Sequence, residues 1–552
     1  MKNIEVSLLK EMLLSASNNL YNHYPEIDAL NVFPVPDGDT GMNMNLTLTS
    51  GAKEIQNRND TNVYDLAKAF SRGLLMGARG NSGVITSQIF RGFAEALLDK
   101  KVIGANDLVE AFVNAKEVAY KAVIKPVEGT ILTVVRESAD YVAEHQEEYD
   151  EADKVFRAVL VEARNSLKRT PELLPVLKEV GVVDSGGAGY VTILEGMYSA
   201  LKGRFIEKNA ISAMASDKQT EVTGSLEAEE FGYCTELIMI LGPDTVKKQF
   251  NMKRFISTLS QKGNSLAVVQ DEDIVKVHIH TMTPGWVLNY AQQFGEFKKL
   301  KIENMTEQHS ELMMAEEAKK QEQATAKIDE PLKEYALIAV SPGEGITEMF
   351  KEIGVDEIVS GGQTMNPSTE DFVAAINKVH AKRIFIFPNN SNIVMAASQA
   401  CDVIDETIDA RVIPSSTIPQ GLVAAMNFNP DAAADENYNT MKGCLKTVKS
   451  AQITYAIKDT EIDGVEVKKD YYMALVNKKI ISCVKDKYDA LFEALDSMVD
   501  DEAGMITIFT GEDISEEEHE ELYDKLESRY SSVDIDLRKG NQPVYSFIIG
   551  VE

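Results

Sequence analysis

Two carboxylates, Asp37 and Asp39, stand two residues apart in Asn31-Val32-Phe33-Pro34-Val35-Pro36-Asp37-Gly38-Asp39-Thr40-Gly41-Met42-Asn43-Met44-Asn45. Pro34 and Pro36 hold the approach extended, because each fixes its own φ and moves the preceding residue out of helical geometry. Gly38 and Gly41 let the backbone bend. The pattern after Thr40 predicts a helix, so the turn sits at a helix N-terminus, where unpaired amides and the dipole attract anions. Carboxylates there repel a phosphate unless magnesium lies between, since Mg²⁺ favours one or two carboxylates together with phosphate oxygens. A plain acidic helix cap would carry the same residues, and the rest of the chain has to separate the two readings.

Three further loops do so. They are Gly77-Ala78-Arg79-Gly80-Asn81-Ser82-Gly83, Lys125-Pro126-Val127-Glu128-Gly129-Thr130 and Asp184-Ser185-Gly186-Gly187-Ala188-Gly189. A helix end needs one glycine, not several. Clustered glycine instead lets backbone amides approach a phosphate without obstruction by Cβ. Neither Gly-x-x-x-x-Gly-Lys-Ser/Thr nor Gly-x-Gly-x-x-Gly after a strand is present, so a phosphate site here has to be built on helix starts.

A second constellation lies further on. Cys234 opens a predicted strand, and His278-Ile279-His280 ends another. Alternating histidines on one strand are more often surface or core residues. In a β-α-β-β-α-β layout, however, the third strand runs antiparallel beside the first and brings Cys234 to the pair. One thiolate and two imidazoles suit zinc. The fourth ligand stays open between His309 and Glu236.

These residues need elements to hold them. Residues 1–203 read as helices: Leu9, Met12, Leu13, Ala16 and Leu20 share one face, as do Leu108, Phe112, Ala115, Ala119 and Ala122. Residues 204–230 have linker composition, and 231–310 hold the β-α-β-β-α-β pattern. Residues 311–334 are a Glu-, Lys-, Gln- and Ala-rich spacer. Residues 335–552 alternate strand and helix as a parallel α/β sheet. Its turns Ser341-Pro342-Gly343-Glu344-Gly345, Ser360-Gly361-Gly362-Gln363-Thr364, Pro388-Asn389-Asn390-Ser391-Asn392 and Pro414-Ser415-Ser416-Thr417 gather at the carboxyl ends of its strands.

A chain of 552 residues is too long for a single core. Apolar content of 44% and charged content of 26% are ordinary for globular protein. A net charge of −31 argues against nucleic acid or an anionic membrane as partner, and it requires local cations wherever a nucleotide binds. Apolar runs are far below spanning length, the N-terminus lacks signal-peptide layout, and cytoplasm is the expected compartment. Cys234, Cys401, Cys444 and Cys483 are widely spaced and predict no disulfide framework.

The stretch Asn-Val-Phe-Pro-Val-Pro-Asp-Gly-Asp-Thr-Gly-x-Asn-Met resembles the metal loop of the dihydroxyacetone kinase L subunit, and more closely that of the ATP-binding subunit of bacterial fatty acid kinase. The resemblance implies a multidomain chain. It would hold an all-α barrel of about eight antiparallel helices, a small α+β ferredoxin-like domain and an α/β domain of DegV type. It also implies ATP, Mg²⁺ and a structural Zn²⁺ as cofactors. Thr40, Asn43, Ser82 and Gly83 would face the phosphates, and Thr130, Asp184 and Gly186 the nucleoside. Asp37, Asp39 and Asn31 would serve magnesium, with Arg79 as a further clamp, and Cys234, His278 and His280 would serve zinc, with His309 or Glu236 as the fourth ligand. Asn31 departs from the family pattern, which has an aspartate upstream of the pair at slightly different spacing.

The function this implies is ATP-dependent phosphorylation of a fatty acid carboxylate, feeding phospholipid synthesis, with acyl phosphate and ADP as products. A separate fatty-acid-binding carrier of DegV type would present the substrate to residues 335–552, and the chain would act as a homodimer. Two rivals are a dihydroxyacetone-type kinase acting on a small hydroxylated substrate and a nucleotide-sensing interaction protein. The first would need a covalent-binding histidine subunit that this sequence does not resemble. Binding without turnover would mark the second.

Overall fold

The computed structural model describes residues 3–32, 38–123, 125–209, 233–242, 250–259, 262, 264–271, 273–281, 283–304, 332–362 and 366–552. The chain divides into two units, Met1–Ala215 with Leu332–Glu552, and Ser216–Pro331.

In the first unit the N-terminal helices are Val6–Asp28 (α1), Thr40–Gln56 (α2), Val63–Met76 (α3), Gly80–Ala96 (α4), Ala105–Ala122 (α5), Ile131–Glu144 (α6), Ala152–Leu173 (α7), Pro175–Val180 (α8) and Ser185–Leu201 (α9). Leu9, Met12, Leu13, Ala16 and Leu20 on α1 are at most 2% exposed, as their helical spacing predicts. Phe70, Phe90, Phe93, Phe112 and Phe156 meet ring to ring at 5.1–6.5 Å, mostly edge to face, and tie α3, α4, α5 and α7 together. Contacts run α1–α2–α3–α4–α5–α6–α7–α9 and back to α1, so eight helices close a ring. With short connections between neighbours, every second helix of such a ring begins at the same end. The starts of α2, α4, α6 and α9 therefore gather there, and they are the four loops singled out by composition. Residues 204–209 continue along α1, where Asn22 Nδ2 donates to the Glu207 carbonyl at 2.9 Å and the Asn209 amide donates to Asn22 Oδ1 at 2.8 Å. The remainder of the predicted 204–230 linker, and the 311–334 spacer up to residue 331, lie outside the described residues.

Within Ser216–Pro331 the order is Tyr233–Leu241 (β1), Met252–Leu259 (α10), Asn264–Asp271 (β2), Ile274–Thr281 (β3), Pro284–Ala291 (α11) and Gly295–Asn304 (β4). The sheet order is β2-β3-β1-β4, with every neighbour antiparallel. Leu237, Met239, Val275, Val277 and Ile279 are buried against Phe255, Leu259, Val287 and Ala291 of the two helices.

The C-terminal part of the first unit contains two sheets. Lys333–Ser341 (β5), Glu344–Glu352 (α12), Glu357–Ser360 (β6), Thr369–Val379 (α13), Ala381–Phe387 (β7), Val394–Val403 (α14), Asp409–Val412 (β8) and Ile418–Met426 (α15) build a parallel sheet of order β6-β5-β7-β8. The remainder comprises Ala434–Cys444 (α16), Lys449–Tyr455 (β9), Thr460–Ile462 (β10), Val465–Val467 (β11), Tyr472–Val476 (β12), Lys479–Val484 (β13), Lys487–Met498 (α17), Met505–Thr510 (β14), Glu516–Arg529 (α18), Asp534–Lys539 (β15) and Tyr545–Val551 (β16).

These later strands do not extend the parallel sheet, as the sequence reading expected. They form a second sheet of order β13-β12-β9-β16-β14-β15, in which β14–β15 is the parallel pair, while β10 and β11 make a separate hairpin. The physical reason is turn length. Asn477 and Lys478 join β12 to β13 in two residues, which only an antiparallel pair permits.

Candidate functional site

The starts of α2, α4, α6 and α9 are linked by side chains. Asn31 Oδ1 accepts from Thr40 Oγ1 at 2.9 Å and from Ser185 Oγ at 3.3 Å, joining α2 to α9. Asp184 caps α9 by accepting from the Gly187 amide at 2.7 Å, and it also takes the Ile131 amide at the start of α6. Burial pushes its carboxyl up to about 6 against those two amides. Thr130 caps α6, accepting from the Leu132 amide at 3.4 Å and donating to the Val127 carbonyl at 2.8 Å. Thr47 Oγ1 joins α2 to α4, accepting the Arg79 amide at 3.3 Å.

One residue that shapes this end of the ring escaped the sequence reading. Asp28, at the end of α1, accepts from the amides of Gly41 at 2.6 Å and Met42 at 3.3 Å, and burial raises its pKa to about 6. It therefore occupies the helix start that the acidic loop was expected to offer to phosphate. With α6 and α9 capped by their own side chains, the first turn of α4 is different: among the described residues it has no side-chain cap. Gly80 begins that turn at φ +58°, a conformation suited to glycine, with Asn43 packed against it. Ser82 and Gly83 follow in the same turn.

Several glycines have a packing reason besides the one composition suggested. A Cβ at Gly83 would lie 2.4 Å from Thr47 Oγ1, at Gly41 2.3 Å from the Tyr24 carbonyl, and at Gly189 2.5 Å from the Met44 sulfur. Gly186 similarly faces Ile131 Cβ at 3.2 Å. These positions let neighbouring helices approach where the ring closes around the site. Gly83→Ala is accordingly expected to destabilise the chain by about 1–3 kcal/mol through overpacking, measured by thermal or urea unfolding. An unchanged melting curve with weakened ATP binding would return Gly83 to a purely phosphate-facing role.

The C-terminal domain reaches this end of the ring. Asn366 Nδ2 donates to Asp39 Oδ2, and Arg79 Nη1 donates to the Asn366 carbonyl at 2.7 Å while lying 3.7 Å from Asp371 Oδ2. Arg79 is thus engaged with the C-terminal domain. Asn81 Nδ2 donates to Asn392 Oδ1 at 3.1 Å, and Ala78 and Val84 are buried in the same core as Phe372, Ile376, Ile393 and Ala397. Lys458 Nζ donates to the Asn31 carbonyl at 2.7 Å, and burial lowers its pKa.

Between the loop and the domain lies a cavity of about 350 Å³, within the range of small-molecule sites. Asn31, Asp39 and Thr40 form one wall. Asn390, Asn392, Ser416 and Thr417, at the carboxyl ends of the parallel strands, form the other with Asn477 and Lys478. The loops expected to form a docking surface therefore face the acidic loop. Lys478 was missed as well. Its signal was the two-residue hairpin, where Asn477 and Lys478 both take positive φ, of 47° and 71°. Lys458 and Lys478 bring positive charge to an acidic loop in a chain of net charge −31.

Asp37 lies outside the described residues, as does His309. The register of the middle sheet sets Cys234 opposite His280 and Glu236 opposite His278. Cys401, Cys444 and Cys483 are free thiols. Among the described residues no helix is long and apolar enough to cross a membrane.

Comparison with known proteins gives matches to three family models: the DAK2 domain over residues 34–199, the FakA-like middle domain of fatty acid kinase over 230–312, and the FakA-like C-terminal domain of fatty acid kinase over 336–552. Protein YloV of Bacillus subtilis is 45% identical over 98% of this chain and 98% of its own length. Among solved structures, a DegV family protein from Corynebacterium glutamicum is 15% identical, with 40% of this chain and 97% of that one covered at a TM-score of 0.31. The dihydroxyacetone kinase from C. freundii in complex with AMP-PNP and Mg²⁺ is 16% identical, with 36% and 35% covered at a TM-score of 0.29.

Proposed function

The chain belongs to the FakA-like family of fatty acid kinase proteins, and from that membership we propose that it is the ATP-binding component of a fatty acid kinase. A carboxylate oxygen of a fatty acid, presented by a separate DegV-type carrier, attacks the γ-phosphorus of ATP; the bond to the β-phosphate oxygen breaks, and acyl phosphate and ADP leave. With a pKa of about 4–5 the acceptor is ionised at neutral pH and needs no general base.

One observation carries this reading. Asp39 lines a cavity with Asn31 and Thr40 in the same wall, and Asn366 links it to Arg79 at the uncapped start of α4. An uncapped helix start suits phosphate, and hard oxygen donors suit magnesium, so the residues fit both groups. Asp37 and Asp39 would hold the metal, which when bound would offset charge on the transferring phosphoryl group. The first turn of α4 orients the phosphates, while Asn31 braces the loop by joining the starts of α2 and α9. The test is transfer from labelled ATP to fatty-acid-loaded carrier, with acyl phosphate trapped by hydroxylamine. Nucleotide binding without product, or product only on a small polyol, would defeat the assignment.

In the middle unit we read a ferredoxin-like domain holding a structural zinc on Cys234, His278 and His280, with His309 or Glu236 as fourth ligand. The opposed register of Cys234 and His280 supports this. Elemental analysis is expected to find about one zinc per chain, and Cys234→Ser to lose it together with stability, because structural metal binding contributes folding free energy. Metal-free protein of unchanged stability would leave Cys234 an ordinary strand residue.

A further inference from the structure

We propose that Asn366, in the C-terminal domain, is a positioning residue of the metal site, so that cation affinity in the helical ring depends on the seating of that domain. The proposal rests on the kinase reading above. Asn366 is 2% exposed and wedged between two helix starts: its Nδ2 donates to Asp39 Oδ2 before α2, and its carbonyl accepts from Arg79 before α4. Its backbone is held independently. Two residues on, Ser368 forms a β-bridge with Arg79, the Thr369 amide donates to the Ala78 carbonyl at 3.1 Å, and Ser368 with Asp371 makes the capping box that starts α13.

This geometry has three consequences. First, an amide donor on one carboxylate oxygen fixes the rotamer of Asp39 and so the direction of the other oxygen. This is what groups behind the direct ligands do in metal sites, and their loss typically costs about 10–100-fold in affinity. Second, the donor is neutral. A lysine or arginine in its place would offset the carboxylate charge a cation needs, whereas Asn366 leaves that charge intact and holds Arg79 on its own carbonyl and near Asp371. Third, Asn366 Oδ1 is buried with no partner among the described residues. A buried acceptor calls for a donor, and Mg²⁺ keeps several of its waters, each able to donate. The loop between β6 and α13 thereby becomes part of the transfer site, not only of a docking surface.

The experiment titrates Mn²⁺, by paramagnetic resonance, into the full-length chain with a non-hydrolysable ATP analogue. Asn366→Leu keeps similar volume without the donor, and Asn366→Ala removes both. Each is expected to weaken Mn²⁺ binding by about tenfold or more, with metal-free analogue affinity changed less than about twofold. Gln399→Ala serves as the seam control. It loses contacts of the same interface, to the Leu75 carbonyl and Ser87 Oγ, and is expected to leave Mn²⁺ affinity unchanged. Wild-type Mn²⁺ affinity in the Asn366 variants would overturn the proposal, and so would an equal loss in Gln399→Ala, which would mean general loosening of the seam. The titration uses no acceptor, so it stands or falls apart from the acyl-phosphate assay.

Discussion

Asp39→Asn is expected to lower phosphoryl transfer by about 10³-fold or more while the protein stays folded. Three orders of magnitude correspond to about 4 kcal/mol of lost transition-state stabilisation, the scale on which a metal ion and its ligands act. The substitution removes charge and little else. The amide oxygen can still accept from Asn366 Nδ2. The start of α2 is held by Asp28 through the Gly41 and Met42 amides rather than by Asp39, which makes no side-chain cap among the described residues. Asp39 also lies at the cavity wall and not in the core, so the stability change should stay within about 0.5 kcal/mol. Activity, magnesium dependence and thermal unfolding measured on one preparation check the statement. Turnover within about tenfold of wild type at ordinary magnesium would remove Asp39 from the metal site, and a large drop in melting temperature would assign it to the fold instead.

Much of this site was legible because helix starts have a strong local signature. The four loops stand out by glycine, threonine and aspartate, and in a ring of alternating helices their order alone gathers them at one end. The juxtaposition of Cys234 and His280 was legible for a similar reason, since the β-α-β-β-α-β order admits few strand arrangements. Three things were not. Asp28 sits inside an ordinary amphipathic helix, and nothing local marks a carboxylate that caps a helix thirteen residues away. The role of Gly83 depends on Thr47, a partner on another helix that composition does not reveal. Asn366, Lys458 and Lys478 belong to a domain with its own core, and that they meet the acidic loop follows only from the seam formed by Ala78, Val84, Phe372 and Ile393.

That seam decides what a shortened chain will do. A fragment ending at Asn209 is expected to retain helical structure and metal-free nucleotide binding but to lose transfer altogether. If the C-terminal domain only recruited the carrier, the fragment would keep wild-type metal affinity, and free fatty acid at high concentration would partly restore turnover. The structure points to a larger loss. Removing residues 332–552 takes away the amide that holds Asp39, the carbonyl that holds Arg79 and the lysine that holds the Asn31 carbonyl. It also uncovers Ala78 and Val84, now 0% and 3% exposed, with a cost of about 2–3 kcal/mol. Mn²⁺ affinity should therefore fall with activity, and adding free fatty acid should not recover either. Addition of the separate 332–552 fragment should restore part of the metal affinity before any carrier is present, because the contact between Asn366 and Asp39 joins these two parts. A fragment with undiminished Mn²⁺ binding would confine residues 332–552 to docking, and the contact between Asn366 and Asp39 would then be packing without consequence for the cation.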